Sequence, residues 1–321
     1  QPAARLLESL LRKGTLPHAL LFTGMEGTGK CSAALLLATA LNCRRFDSET
    51  NRDRARPCGV CSACRKIRSG VHPDILQIQP TRSFIRIDQI RELIHAVSLK
   101  PYEARCRVAI VSEAHRLNPE AGNAMLKILE EPPEQTLIVL TAPQTSDLLP
   151  TIVSRCRHIR FHPIDRDRLA QILIDRHGIA SDRAWLLSAA AGGSLSRALA
   201  MSDSFWEQRR NALIDAFEGL VRGPVAMRLA FAEMLASDKA ALDESLEMLK
   251  TYLRDLVVSR FQPQMIVNRD LSGRIEDVCR RHSFENVMRM IEAVERAQKR
   301  IRANANSRLA LEAMTLEMTD A

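Results

Sequence analysis

The stretch Ala19-Leu-Leu-Phe-Thr-Gly24-Met-Glu-Gly-Thr-Gly29-Lys30-Cys31 reads as a strand, a glycine-rich turn and the start of a helix. An apolar helical pattern continues from about Lys30 to Asn42. Gly-x4-Gly-Lys at a strand-to-helix turn is the phosphate-loop arrangement. Gly24, Gly27 and Gly29 let the backbone curl so that its N–H groups face an anion, and the helix N-terminus adds positive potential. Lys30 supplies a point charge suited to β- and γ-phosphates.

Outward from that loop, short apolar runs alternate with helical patterns. Asp74-Ile-Leu-Gln-Ile78, Val108-Ala-Ile-Val111 and Leu137-Ile-Val-Leu140 read as buried parallel strands. Ile87 to Val97 is an amphipathic helix. Ala121, Ala124, Met125, Ile128 and Leu129 share one face of another, which Pro132-Pro133 stops. Strands separated by helices predict a doubly wound parallel sheet. After about His162 the strand signal vanishes. Residues 165 to 201 predict three short helices interrupted at Gly178 and Gly192-Gly193. From Phe205 onward the pattern is helical, with breaks expected near Gly223-Pro224, Pro263 and Gly273. Val287, Ile291, Val294 and Ile301 mark one face of a long helix. The fold class is therefore α/β plus all-α. The expected division is a phosphate-loop domain over 1–162, a small helical domain over 163–203 and a helical domain over 204–321.

Two positions beside the loop depart from an active nucleotide site. A magnesium-binding loop needs Ser or Thr after the lysine; Cys31 offers a soft sulfur that a hard cation disfavours. Ser32 points about 100° away around the helix and substitutes poorly. Val108-Ala-Ile-Val-Ser112-Glu113 ends a buried strand where an Asp should hold the ion, and that residue is Ser112. Glu113, placed to polarise an attacking water, remains. Phosphoryl transfer leans on metal ions, so weak or absent ATPase is expected, with ATP and Mg²⁺ occupancy of the site left open. The alternative is that Cys31 and Ser112 merely tolerate function.

Cys58-Gly-Val-Cys61-Ser-Ala-Cys64 places three thiols within seven residues, as a metal knuckle does. A fourth ligand must come from Cys31, Cys43, Cys106, Cys156 or Cys279. Cys43, ahead of the Arg- and Asp-rich stretch Arg44 to Arg56, is best placed. Four cysteines would make a closed, structural site; unliganded thiols and an iron–sulfur cluster stay open. Eight cysteines in such a chain favour metal binding over disulfides. His72 reads as a packing residue. The net charge of +8 leans toward a polyanion partner, though solvated helix faces explain it equally well. Apolar runs are too short to span a bilayer, and the N-terminus lacks a charged-then-apolar signature. The expectation is a cytoplasmic protein.

These pieces, in this order, resemble the bacterial clamp-loader family of the AAA+ class, in its gamma/tau and delta-prime branch. The resemblance rests on Leu16-Pro-His-Ala-Leu20, the knuckle ending at Cys64, and His72-Pro-Asp-Ile-Leu76. It rests further on Asn123-Ala-Met-Leu-Lys-Ile-Leu-Glu-Glu-Pro-Pro-Glu134 and Leu149-Pro-Thr-Ile-Val-Ser154-Arg155-Cys156. Asn304-Ala-Asn-Ser-Arg-Leu-Ala-Leu-Glu312 is similar to the family's oligomerising collar. The resemblance implies an AAA+ domain with a zinc module around 43–71, a helical lid over 163–203 and a collar over 204–321. It implies Zn²⁺ at Cys43, Cys58, Cys61 and Cys64. Arg155 becomes an arginine finger reaching a neighbour's ATP, a role that suits a guanidinium's fixed charge and fork geometry. Thr141 holds a polar sensor position, and Arg197, one place later than the family pattern, the sensing arginine.

A preserved finger beside a degraded site implies the stationary, delta-prime kind of subunit, and the chain length, without a tether extension, agrees. Implied partners are gamma/tau-type and delta-type subunits in a pentameric ring, and through them a sliding clamp and primer-template DNA. An ATP-hydrolysing motor subunit and a stand-alone DNA-binding zinc protein are the alternatives.

Overall fold

The computed structural model describes residues 2–45, 57–81, 83–222, 224–239 and 241–318. Residues 46–56 of the Arg- and Asp-rich stretch, and Gly223 of the expected Gly223-Pro224 break, lie outside the described residues. The chain divides into two compact units, 1–164 with 193–196, and 165–192 with 197–321.

The first unit runs α1 (Pro2–Lys13), β1 (Ala19–Thr23), α2 (Lys30–Asn42), α3 (Ser62–Arg68), β2 (Ile75–Ile78) and α4 (Ile87–Ser98). It continues β3 (Arg107–Val111), α5 (Pro119–Glu130), β4 (Thr136–Ala142), α6 (Pro150–Val153) and β5 (Arg157–Arg160). Among the described residues these strands form one parallel sheet in the order β2-β3-β4-β1-β5. Successive strand residues feed opposite faces. Leu20, Phe22, Val108, Ile110, Leu137 and Val139 pack against Ala3 and Leu7 of α1 and Ala34, Leu37 and Ala38 of α2. Leu21, Ala109, Val111, Ile138 and Leu140 pack against Ile90, Leu93 and Val97 of α4 and Ala121, Met125, Ile128 and Leu129 of α5. Burial on both faces is why β1, β3 and β4 read as unbroken apolar runs. The doubly wound α/β class expected from the sequence is the class observed.

The sequence reading named neither α1 and β5 nor the short helices α3 and α6. In β5 only Ile159 is buried, because an edge strand beside β1 needs no continuous apolar run. In α1 only Ala3 and Leu7 are buried. The start of α5 follows local rules: Asn118 Oδ1 accepts the Ala121 N–H (2.9 Å), and Pro119 occupies the first turn.

The amino-terminal ends of β2 and β3 are fastened by a buried ion pair. Asp74 is 0% exposed, and its carboxylate accepts the N–H groups of Tyr102 (2.8 Å), Glu103 (2.8 Å) and Ala104 (2.9 Å). Arg107 Nη2 donates to it at 2.7 Å. The same guanidinium covers carbonyls at the end of α4, those of Ala96, Leu99 (2.6 Å) and Lys100 (3.0 Å). His72 is buried beside it and accepts the Asp74 N–H at 3.2 Å, a packing role as expected. Burial opposes ionisation of Asp74, but the three N–H donors and Arg107 outweigh it and hold its pKa at about 2.

The rest of the chain is helical: α7 (Arg166–His177), α8 (Ser181–Ala190), α9 (Leu195–Ala200), α10 (Ser204–Arg222), α11 (Val225–Ser237), α12 (Leu242–Phe261), α13 (Ser272–Cys279), α14 (Phe284–Arg302) and α15 (Ser307–Glu317). Gly178 ends α7 at φ 66°, as its position in the sequence suggested. Gly273 does not break a helix; it lies in the first turn of α13, where the cost of glycine is small, and the break spans 262–271. On α14 the buried stripe is Val287, Met290, Ala293, Val294 and Ala297, with Ile291 and Ile301 only half-buried. Buried Asp255 of α12 accepts the N–H groups of Val267 (3.0 Å) and Asn268 (2.8 Å), fixing the α12–α13 connection. No helix among the described residues is long and apolar enough to cross a membrane.

Replacing Asp74 with alanine strands Arg107 in the interior without a counter-charge. Urea unfolding at pH 7 should show a loss of about 3–5 kcal/mol. The folded pKa of about 2 lies below the ordinary 3.8. The carboxylate's contribution is therefore complete above about pH 4 and is lost as the pH falls through about 2, so the gap between wild type and variant should narrow over that range. Equal stabilities at pH 7 would contradict this role.

Candidate functional site

At the carboxyl ends of β1, β3 and β4 lies a cavity of ≈ 360 Å³ lined by Gly27, Gly29, Lys30, Cys31, Ser112, Glu113 and Thr141, among others. Ligands of α/β sheets bind at this edge. Two glycines are dictated by close approach. A Cβ on Gly24 (φ 139°) would sit 2.2 Å from the Phe161 carbonyl oxygen, and one on Gly27 (φ 75°) 1.9 Å from Ser194 Oγ. Lys30 Nζ donates to the carbonyls of Gly24 (2.5 Å) and Met25 (2.9 Å), so the loop holds its own cation. Burial lowers the Lys30 pKa, against the pull of Cys31, Glu26 and Glu113.

Cys31 opens α2 and Ser112 follows β3; the fold brings them into contact, Sγ to Oγ, at 3.4 Å. The pair would offer a magnesium ion one soft sulfur and one neutral hydroxyl, where it favours a set of hard oxygens that includes a carboxylate. This donor pair does not fit the ion. Glu113 stands in the left-handed region (φ 53°), its N–H donating to Thr141 Oγ1 at 3.1 Å. Its carboxylate pairs with Arg116 at 2.9 Å. Thr141 is buried and positions the Glu113 backbone. Ser32 lines the exposed rim.

Sequence reasoning missed the segment that seats the loop: Ser194 fills the space beside Gly27, Leu195 N–H donates to the Gly27 carbonyl (3.0 Å), and Ser196 lines the cavity. Arg197, the next residue, belongs to the second unit, where it lines a small cavity with Trp206 and Thr251.

Arg155 does not line the cavity of its own chain. It follows α6, between buried Ile152 and half-buried Cys156, whose thiol burial pushes up to about 12. Its Nε donates to Glu130 Oε1 (2.8 Å) and its Nη1 to the Thr151 carbonyl (3.0 Å). The two side chains are 35% and 50% exposed. An ion pair this exposed is worth about 0–1 kcal/mol and is cheaply given up.

The sulfurs of Cys43, Cys58, Cys61 and Cys64 all lie within 4.8 Å of one another. Cys43 and Cys64 are buried, and all four are free thiols. Backbone N–H groups point at sulfur: Cys58 N donates to Cys43 Sγ (3.3 Å) and Cys61 N to Cys58 Sγ (3.4 Å). The N–H groups of Val60 and Cys61 draw the Cys58 pKa down to about 6, while burial pushes Cys64 up to about 12. Four convergent thiols with N–H groups on sulfur fit a tetrahedral ion such as zinc and leave it no open position. Such an ion would tie the end of α2 to α3, and would not act as a catalyst. Cys106 is half-buried outside the cluster, with its thiol pushed up to about 11 by burial.

A family model described as DNA polymerase III, delta subunit, matches residues 1–165, and one described as DNA polymerase III, delta subunit, C terminal, matches residues 204–320. DNA polymerase III subunit delta' of Bacillus subtilis is 31% identical over 322 residues, covering 98% of this chain and 95% of that protein. The chain belongs to the delta-prime family of DNA polymerase III. This delta-prime chain is also similar to DNA polymerase III subunit tau of Escherichia coli, with 38% identity over 60% of this chain and 30% of that protein. A solved gamma subunit-related protein of Thermotoga maritima is 20% identical over 98% of both chains, with a TM-score of 0.49.

For the cysteine cluster, elemental analysis of the purified delta-prime chain should find one equivalent of zinc. Chelation, or Cys43→Ser, should lower Tm by roughly 5–10 °C. A metal-free preparation of equal Tm would contradict the assignment.

Proposed function

We propose that this chain is the stationary subunit of a clamp loader, holding position in a ring and lending Arg155 to ATP bound by a neighbouring gamma/tau-type subunit. The observation that carries the reading is the Cys31–Ser112 contact at 3.4 Å, a thiol against a neutral hydroxyl at the two places that grip magnesium in a hydrolysing site. With a sulfur in place of one oxygen and a neutral hydroxyl in place of a carboxylate, the chain's own loop would hold magnesium poorly and leave Lys30 as the main charge on a transferring phosphoryl group. Arg155 supports the other half. It is held at the surface by well-anchored flanks, and the carboxylate it pairs with is itself half exposed. In trans, its guanidinium would exchange Glu130 for γ-phosphate oxygens, a stronger charge-assisted bidentate contact.

In this reading residues 163–203 act as a lid and 204–321 as a collar that joins the chain to gamma/tau-type and delta-type subunits in a pentamer. Packed helices α11 and α15 leave Val225, Met227, Leu229, Met234 and Leu309 exposed, an apolar surface suited to helix-on-helix assembly. The ring would open a sliding clamp and place it on primed DNA. A motor subunit draws support from the retained Lys30 and Glu113, but the Cys31–Ser112 pair weighs against it.

Arg155→Ala should leave the unfolding free energy of the isolated chain within about 1 kcal/mol. In a complex reconstituted with gamma/tau-type and delta-type subunits it should cut ATP turnover at the served site by at least roughly tenfold. An unchanged rate in that complex removes the finger assignment.

A further inference from the structure

Opposite the phosphate loop, at the amino-terminal edge of the sheet, several exposed cations and one exposed aromatic ring hang on a single rigid frame. The frame is the Asp74–Arg107 ion pair together with Asn42, whose Oδ1 accepts the N–H groups of Arg105 (2.9 Å) and Cys106 (3.1 Å). It joins the end of α2 to the loop 99–106, and Lys66 of α3 pairs with Glu103 of that loop at 2.7 Å.

Tyr102 stands on this frame with its N–H bonded to Asp74 at 2.8 Å, yet the residue is 85% exposed. A ring so exposed on a fixed backbone contributes nothing to the core and is poised to stack. Arg65 and Arg68 lie one turn apart on α3 and are both exposed, while Cys64 and Ile67 are buried. Lys100 lies two residues before Tyr102, with its carbonyl held by Arg107 at 3.0 Å. Arg44 follows Cys43 at the end of α2. All four cations are exposed, and none has a salt-bridge carboxylate among the described residues. The two carboxylates of the frame are already spent: Asp74 on Arg107, and Glu103 on Lys66 at 2.7 Å.

We infer that this edge binds single-stranded nucleic acid, with Arg44, Arg65, Arg68 and Lys100 following the phosphates and Tyr102 stacking on a base. Exposed cations with no carboxylate partner among the described residues, beside a rigid exposed aromatic, make the pairing that a flexible polyanion with π-faces recognises. An acidic peptide would use the cations but leave the ring idle. The site stands apart from the scaffold reading, because binding here requires neither ATP nor a neighbouring subunit.

The test is fluorescence anisotropy of a labelled oligothymidylate of about 20 nucleotides with the full chain. Binding should weaken with salt at a log–log slope of roughly −3, the value for about four phosphate contacts on a single strand. Tyr102→Ala should cost roughly tenfold in affinity and Tyr102→Phe almost nothing, because only the ring is needed. Arg65→Glu with Arg68→Glu should abolish binding at about 0.1 M salt, whereas Arg91→Glu, away from the edge, should leave it unchanged. The inference is overturned by no binding at low salt or by undiminished affinity in Tyr102→Ala. It is equally overturned if oligoglutamate of matched charge competes as well as unlabelled oligothymidylate.

Discussion

The parallel order β3-β4-β1 is the constraint on which the site depends. It places the ends of three strands side by side, so residues far apart in sequence arrive at one edge. Ser112 reaches Cys31 across 81 positions, and Thr141, on the strand between, receives the Glu113 N–H. The loop glycines and Lys30 follow from β1 feeding directly into α2. The glycine loop, Lys30 and the Cys31–Ser112 pair thus share one cavity at the end of the sheet. Backbone geometry comes from the whole sheet and is hard to lose. Metal affinity would rest on two side chains alone, so it is far easier to change than the backbone frame.

The opposite edge is organised by different physics. Asp74 and Arg107 are both buried, so each is tolerable only because the other and several backbone groups satisfy it. Their bonds gather the end of α4, the loop after it and the starts of two strands. The cysteine cluster lies nearby, next to Asn42 at the end of α2. These ties need partners in fixed places, and they keep the loop 99–106 from shifting. One sheet therefore carries the glycine-loop cavity at one end and a braced surface at the other.

Much of this was legible in the sequence, for reasons that differ by element. Strands β1, β3 and β4 were visible because burial on both faces makes them wholly apolar, and α5 because its seam repeats at helical spacing. Strand β5 was not, because an edge strand of two arginines, a histidine and one isoleucine has no readable period. Cys43 was singled out by its place after the helix that follows the glycine-rich turn, and it stands with the other three thiols. The Asp74 network was invisible, since its partners lie 28 to 33 residues away and are mostly backbone N–H groups that no side chain announces. The seating of Ser194 and Leu195 on Gly27 was hidden for the same reason. Gly273 misled because glycine punctuates helices on average, yet a first-turn glycine is tolerated. No property of Arg155 by itself suggests a finger; that reading comes from the surrounding motif.

Steady-state ATP hydrolysis by the purified chain with excess Mg²⁺, wild type against Lys30→Ala, bears most directly on whether Cys31 and Ser112 silence the site. The expected result is no turnover above the background of the variant. Turnover that Lys30→Ala abolishes would show that this pair grips the cation after all, and would contradict a passive subunit.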